Sequence, residues 1–231
     1  MKKLFTLLLI PLMLGALAAC SDSSEELVKP EEAQDEVIPT GTRIGDFIVS
    51  YYWFNGSKVP IYLHDTSCMI IYHSEDEDSI IAKLEEMGLT KDDIKSKADY
   101  TINPNEFENP QQAVLAYQDT KRATISINYE KALEISEVIY ATPCVSNDII
   151  PEAVFPMSNF VYVDGNDFFK IEKIAKELSV DILGKISGIV GNYYEIACNK
   201  DSKGNPLEVA NAFHDAGFVS EPAFISGGGA S

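Results

Sequence analysis

The sequence predicts an α+β fold in which two βαββαβ units follow one another behind a β-hairpin. Three observations carry that expectation. The aromatic and β-branched run FIVSYYWF is broken by Asn55-Gly56, a dipeptide that takes positive φ readily and so closes two-residue hairpins. Phe168, Ile171, Ile174, Ala175 and Leu178 recur at the i, i+3, i+4 spacing of an amphipathic helix. Short strand-like runs alternate with such helices in nearly the same order twice.

The chain opens on a targeting segment. Lys2 and Lys3 form a positive n-region, Leu4 to Leu14 an apolar stretch, and Leu17-Ala18-Ala19 a small-residue ending before Cys20. The apolar run falls short of the ~20 residues that a membrane-spanning helix needs. Leu-Ala-Ala-Cys resembles the lipobox of bacterial lipoproteins, which implies cleavage after residue 19 and acylation of Cys20 as the lipid attachment site. Two or more acyl chains, at ~0.8 kcal/mol per buried methylene, would hold the mature chain on a membrane surface outside the cytoplasm.

Residues 20–46 read as an acidic lipoprotein tether, poor in aromatics and broken by Pro30 and Pro39. The acids just after Cys20 resemble the surface-export signal of Bacteroidetes-type lipoproteins, so an outer-membrane, cell-surface location is the expectation. Residues 47–146 hold the hairpin and the first unit. CMIIYH (68–73) is its strand, and Glu75 to Asp78 are acids suited to a helix N-terminus. SIIAKLEEMG is the helix, ended by Gly88. Lys91 to Gln112 reads as an insertion. RATISI is then a strand, YEKALEI a helix and EVIYATPCV a strand.

Residues 147–231 hold the second unit and a flexible C-terminal tail. NFVYV is a strand, and Asp164 to Asp167 form a turn and cap. FFKIEKIAKEL is a helix, and DILGKISGIV and NYYEIAC are strands. PLEVANAFHDAG is a helix with Pro206 at its start and Gly217 at its end, and FVSEPAF closes the unit. Strand, helix, strand, strand, helix, strand is the ferredoxin-like order.

Charge narrows the partners. Export removes two of the 18 basic residues and none of the 36 acidic ones, so a net charge of −18 deepens to −20. Nucleic acid and anionic lipid call for basic patches and are excluded as partners; the membrane is met through the lipid anchor only. Cys68, Cys144 and Cys198 lack CxxC spacing and sit in apolar runs, as buried thiols do. Three of them allow at most one disulfide.

The residues for catalysis are sparse, and the chain reads as a non-enzyme. A Cys/His hydrolase would have to pair one of these thiols with His64, His73 or His214, and the chain has neither GxSxG nor HExxH. Neither metal nor cofactor is expected. Asn199 to Gly204 imitates a calcium loop but puts Lys203 at a liganding position and lacks the closing Glu. Glu75 to Asp78 reads as a solvated cap, and Gly227 to Gly229 has no helix behind it to hold a phosphate. The aromatics Tyr51 to Phe54 and Tyr62 read as hairpin packing rather than a ligand platform.

Residues 159–224 resemble the propeptide of subtilisin-like serine peptidases (inhibitor I9-like). The matching runs are NFVYV, FFKIEKIAKELSVDIL, NYYEIAC and PLEVANAFHDAGFVSEPAF. EVIYATPCV (137–145) resembles the same closing strand in the first unit. YYWFNGSKVPIYLHDTSCMIIY is similar to the region preceding such propeptides in large Bacteroidetes subtilases. A zymogen would continue into its peptidase domain, whereas this chain ends at FISGGGAS. The resemblance therefore implies a stand-alone propeptide-like module that binds a subtilisin-like peptidase, inhibiting or chaperoning it. The sheet face would pack on the peptidase, and the closing strand would enter its cleft by strand addition. The binding residues so implied are Val219, Ser220, Glu221, Pro222, Ala223, Phe224 and Ile225. The alternative is a non-inhibitory binding or structural lipoprotein on the same scaffold.

Overall fold

A computed structural model describes residues 40–147 and 154–225. The first pairing is short: β1 (Arg43–Ile44) lies against β2 (Phe47–Phe54). Asn55 and Gly56 both take positive φ (49° and 76°), the requirement of a type I′ turn, and return the chain as β3 (Ser57–His73).

β3 decides the architecture. HDTS (64–67) separates two runs that read as distinct strands, yet the structure carries one 17-residue strand through it. A register shift between His64 and Cys68 absorbs the extra residues. Thr66 Oγ1 and Ser67 Oγ lie 3.3 and 2.9 Å from His64 Nδ1 and hold the bulge. The first half of β3 pairs with β2. The second half pairs with β5 (Thr120–Ile125), whose other neighbour is β4 (Ile94–Asp99). β6 (Val138–Ser146) runs along both halves of β3.

The expectation of two ferredoxin-like α+β units is corrected here. The ten strands among the described residues form one sheet, and every pairing between them is antiparallel. The join is made where Cys144 and Val145 of β6 pair with Pro156 and Phe155 of β7 (Phe155–Asp164). Beyond it β9 (Tyr193–Ala197) and β8 (Asp181–Lys185) extend the sheet, and β10 (Val219–Phe224) lies on the other side of β7. The pairing order β6–β3–β5–β4 is repeated by β10–β7–β9–β8, but continuous hydrogen bonding fuses the halves, so sheet dominates over helix.

The four α-helices among the described residues are short. They are α1 (Glu77–Glu86), α2 (Tyr129–Leu133), α3 (Phe168–Leu178) and α4 (Pro206–Asp215). Asn128, Asp167 and Asn205 accept backbone N–H bonds at the starts of the last three, and Asn205 with Glu208 completes a capping box. Ile80 and Leu84 of α1 bury against Ile70, Tyr72 and Ile125. Ile171 of α3 and Val209 and Phe213 of α4 bury against Val161, Val163 and Ile196.

The insertion is ordered and consequential. Tyr100, Ile102, Phe107, Val114 and Tyr117 join the same core as Phe160, Leu183 and Ala197, so residues 100–117 lie over the helix-free side of β7, β9 and β8. A buried polar knot pins them there. Asn159 Nδ2 donates to Tyr117 Oη (2.9 Å) and to the Cys198 carbonyl (3.1 Å), and the Tyr100 hydroxyl donates to Asn159 Oδ1 (2.9 Å). Every member is satisfied, the condition under which a buried network specifies one packing.

Candidate functional site

Alternation along the C-terminal strands sorts side chains to two faces. Val161, Val163 and Ile196 go to the helices. Tyr162, Glu195 and Tyr193 go to the opposite side, and Glu221 stands beside Tyr162. The registers Glu221↔Tyr162 and Tyr162↔Glu195 set these three residues in a row across β10, β7 and β9, with the two acids about 10 Å apart at ~4.8 Å per strand.

Residues 100–117 roof one end of this face and stop short of the other. Phe107 bridges to Ile186, Glu108 N donates to Lys185 O (2.8 Å), and Ser187 N donates to Glu106 O (2.7 Å), so the insertion covers the outer edge of β8. Gly184 is required beneath it, because a Cβ there would stand 3.0 Å from Phe107 Cβ. The uncovered end is an open cleft of about 300 Å³ between Tyr162, Ile186, Ile189, Tyr193, Val219 and Glu221. Gly191 (φ 116°) lets the Ile186–Asn192 loop pass the Tyr193 ring, which a Cβ would meet at 2.7 Å. Asn192 N donates to Asp164 Oδ1 (3.3 Å), and Gly165 N donates to Asn192 O (3.1 Å), anchoring the loop. At its tip Val190 is 99% exposed.

Glu195 is the unusual group. Its residue is 9% exposed, and among the described residues no hydrogen bond or ion pair reaches its carboxylate. Burial, then the charge of Glu106, pushes its carboxyl up to about 7. Burial also raises Glu221. Burial together with Glu195 and Glu106 pushes the Tyr162 hydroxyl up to about 12. The row can thus receive positive charge, or give and take a proton near neutrality. Alternation in YYEIA, with one Glu among apolar residues, was the available signal for Glu195. What the sequence alone does not show is that the charge of Glu106, 89 residues away, acts on it.

The residues singled out from sequence are placed as follows. Cys20 lies outside the described residues, as does the chain beyond Ile225. Val219 is exposed at the cleft rim and Glu221 lines the cleft. Ser220 is buried and donates to Ala210 O (2.6 Å), and Pro222 is also buried. Ala223 packs on the core, Phe224 sits edge-on to Tyr52 (ring centroids 5.3 Å) and Phe155 (6.0 Å), and Ile225 N donates to Pro156 O (3.2 Å). The segment is therefore a strand of the protein's own sheet. Among described strands only β7 pairs with it, which leaves its outer edge open.

Elsewhere the candidate chemistry is occupied by structure. Cys144 faces His64 in register, but its thiol is buried and pushed up to about 11, far from a nucleophile's range. Cys68 and Cys198 are likewise buried and unpaired with another cysteine. Asn199 donates to Asp181 Oδ2 (2.6 Å) and caps its own loop through Asp201 N (2.9 Å). Glu77 bonds Lys97 (2.8 Å) and Lys121 (2.6 Å), whose positive charges hold its carboxyl below the usual range. Trp53 stacks on His214 (centroids 4.1 Å, planes 7° apart), so the hairpin aromatics fasten β2 to α4. Among the described residues no group of three or more His, Cys, Asp or Glu is placed to hold a metal ion. No family model, curated protein or solved structure matches the chain.

Proposed function

We propose that this is an exported, lipid-anchored binding protein without catalytic activity of its own, whose partner is a subtilisin-like serine peptidase that it inhibits or chaperones. The observation that carries the reading is the uncovered, acidic and aromatic end of the β10–β7–β9 face, contiguous with the open edge of β10. Glu221 lines that end and offers a carboxylate there, which suits the partially positive N-termini of surface helices. An unpaired strand edge supplies main-chain hydrogen bonds to an extended segment.

One observation favours a second reading, a binding scaffold that does not inhibit. Residues 100–117 cover the Phe160–Ala197 end of the face, which shortens the area available for a flat docking surface. The two readings separate in one titration of the full chain, in detergent, into a subtilisin-like peptidase while peptide cleavage is followed. Saturable inhibition that weakens on Val219→Asp at the rim supports the first reading. Binding without inhibition selects the second, and rapid digestion of the protein as a substrate overturns both.

A further inference from the structure

Three enclosed side-chain atoms find no hydrogen-bond partner among the described residues: Trp53 Nε1, Asn211 Oδ1 and His214 Nδ1. They belong to one contact. Trp53 stacks on His214 with ring centroids 4.1 Å apart, and Asn211 Nδ2 donates to the carbonyl of Tyr51 (3.1 Å), two residues before Trp53 on β2. Asn211 and His214 stand three apart on α4, which sets them on one face of the helix. A polar atom enclosed without a partner is destabilising, and a buried indole N–H ordinarily finds an acceptor. Three such atoms gathered at one contact call for a shared partner rather than three separate accounts.

The chemistry of the three atoms selects that partner. Trp53 Nε1 can only donate a hydrogen bond, and Asn211 Oδ1 can only accept one. An anion would be repelled by the Asn211 oxygen and by Asp215, whose Oδ1 lies 3.9 Å from His214 Nδ1. A cation would meet the indole N–H and Lys58 Nζ, 5.3 Å from the Trp53 ring centroid. A neutral molecule that accepts one hydrogen bond and donates two satisfies all three atoms. We infer that a single resident water sits between β2 and α4, accepting from Trp53 Nε1–H and donating to Asn211 Oδ1 and His214 Nδ1. Buried waters ordinarily make about three hydrogen bonds, and at ~2.8 Å per bond one water bridges polar atoms up to ~5.6 Å apart. The site also assigns a tautomer: Nδ1 is the unprotonated nitrogen of His214, and the proton of the neutral ring is on Nε2. The contact between the β2–β3 hairpin and α4 is thus held in part through water, independently of what docks on the sheet face.

The test is nuclear magnetic resonance on the full chain in a nonionic detergent and mildly alkaline solution, with water itself as the probe. Trp53 is the one tryptophan of the chain, so its indole N–H is a single identifiable resonance. The expected result is a cross-peak from that proton to water with opposite signs in laboratory-frame and rotating-frame spectra, the mark of a resident molecule rather than of proton exchange. The nitrogen shifts of His214 should be those of a ring protonated at Nε2. His214→Phe keeps an aromatic ring against Trp53 and removes one of the three partners, so the cross-peak should fall about twofold or more, with a thermal melt confirming that the variant is folded. A cross-peak arising from exchange alone, a His214 ring protonated at Nδ1 and turned toward Asp215, or a cross-peak of unchanged strength in His214→Phe would each overturn the inference.

Discussion

Replacing Glu195 by glutamine should stabilise the protein in alkaline solution and leave it unchanged in acid. The carboxyl moves from 4.5 in a free chain to about 7 in the fold. A rise of about 2.5 at ~1.36 kcal/mol per pH unit corresponds to about 3 kcal/mol. Below pH 4.5 the folded and unfolded chains both carry the proton, and the buried group costs nothing as a charge. Between 4.5 and 7 the unfolded chain ionises while the fold keeps its proton, so stability falls as pH rises. Above 7 the full cost is in place. Urea unfolding of both proteins at about pH 4 and about pH 8 isolates this residue, since every other titrating group is common to the pair. The expected difference is near zero at the first pH and up to about 3 kcal/mol in favour of the variant at the second. A variant no more stable than the parent at the higher pH would show that burial does not hold the Glu195 carboxyl up, and the reasoning would fail.

Two further outcomes follow from the packing. Asn159→Ala strips two donated bonds and one accepted bond from a fully buried knot, and should cost about 3 kcal/mol in urea unfolding. A loss under about 1 kcal/mol would mean that the insertion is held by its apolar contacts alone. Burial pushes the Cys144 thiol up to about 11 and Cys198 to about 12, so both should resist iodoacetamide in the native protein and react only after unfolding. Rapid native labelling, located by mass spectrometry, would contradict the burial described.

The fold was legible where local chemistry decides it. Asn55-Gly56 announces its hairpin, the Phe168–Leu178 stripe its helix, and Pro206 the start of α4, because each signal lies within a few residues of its effect. It was illegible where distant chain decides. HDTS has turn composition, and only pairing with β6 on one side keeps β3 running through it as a bulge. IKSKAD carries too few apolar residues to read as a strand, yet as the outer neighbour of β5 it needs no buried face. The predicted strand DILGKISGIV ends early, since Gly188 and Gly191 turn the chain into the cleft loop. The candidate site fared similarly. Glu221 was singled out through its strand, while Tyr162, Tyr193 and Glu195 were not, because only residues 100–117 determine which part of that face stays open.

The fastening of β2 to α4 bears on the timing of assembly. Asn211 Nδ2 donates to Tyr51 O across 160 residues, while Trp53 lies on His214 and Tyr52 against Phe224. β2 is thus completed by α4 and β10. At ~5–20 residues per second, synthesis would leave Tyr51 to Phe54 waiting roughly ten to thirty seconds for their cover. A chain delivered N-terminus first across a membrane would wait similarly at the far side, its aromatic hairpin bare until β10 emerges. An interrupted or clipped molecule never closes this contact and goes on displaying Trp53 and Tyr52 to chaperones and proteases. The clasp therefore ties the cover of the hairpin to the arrival of α4 and β10.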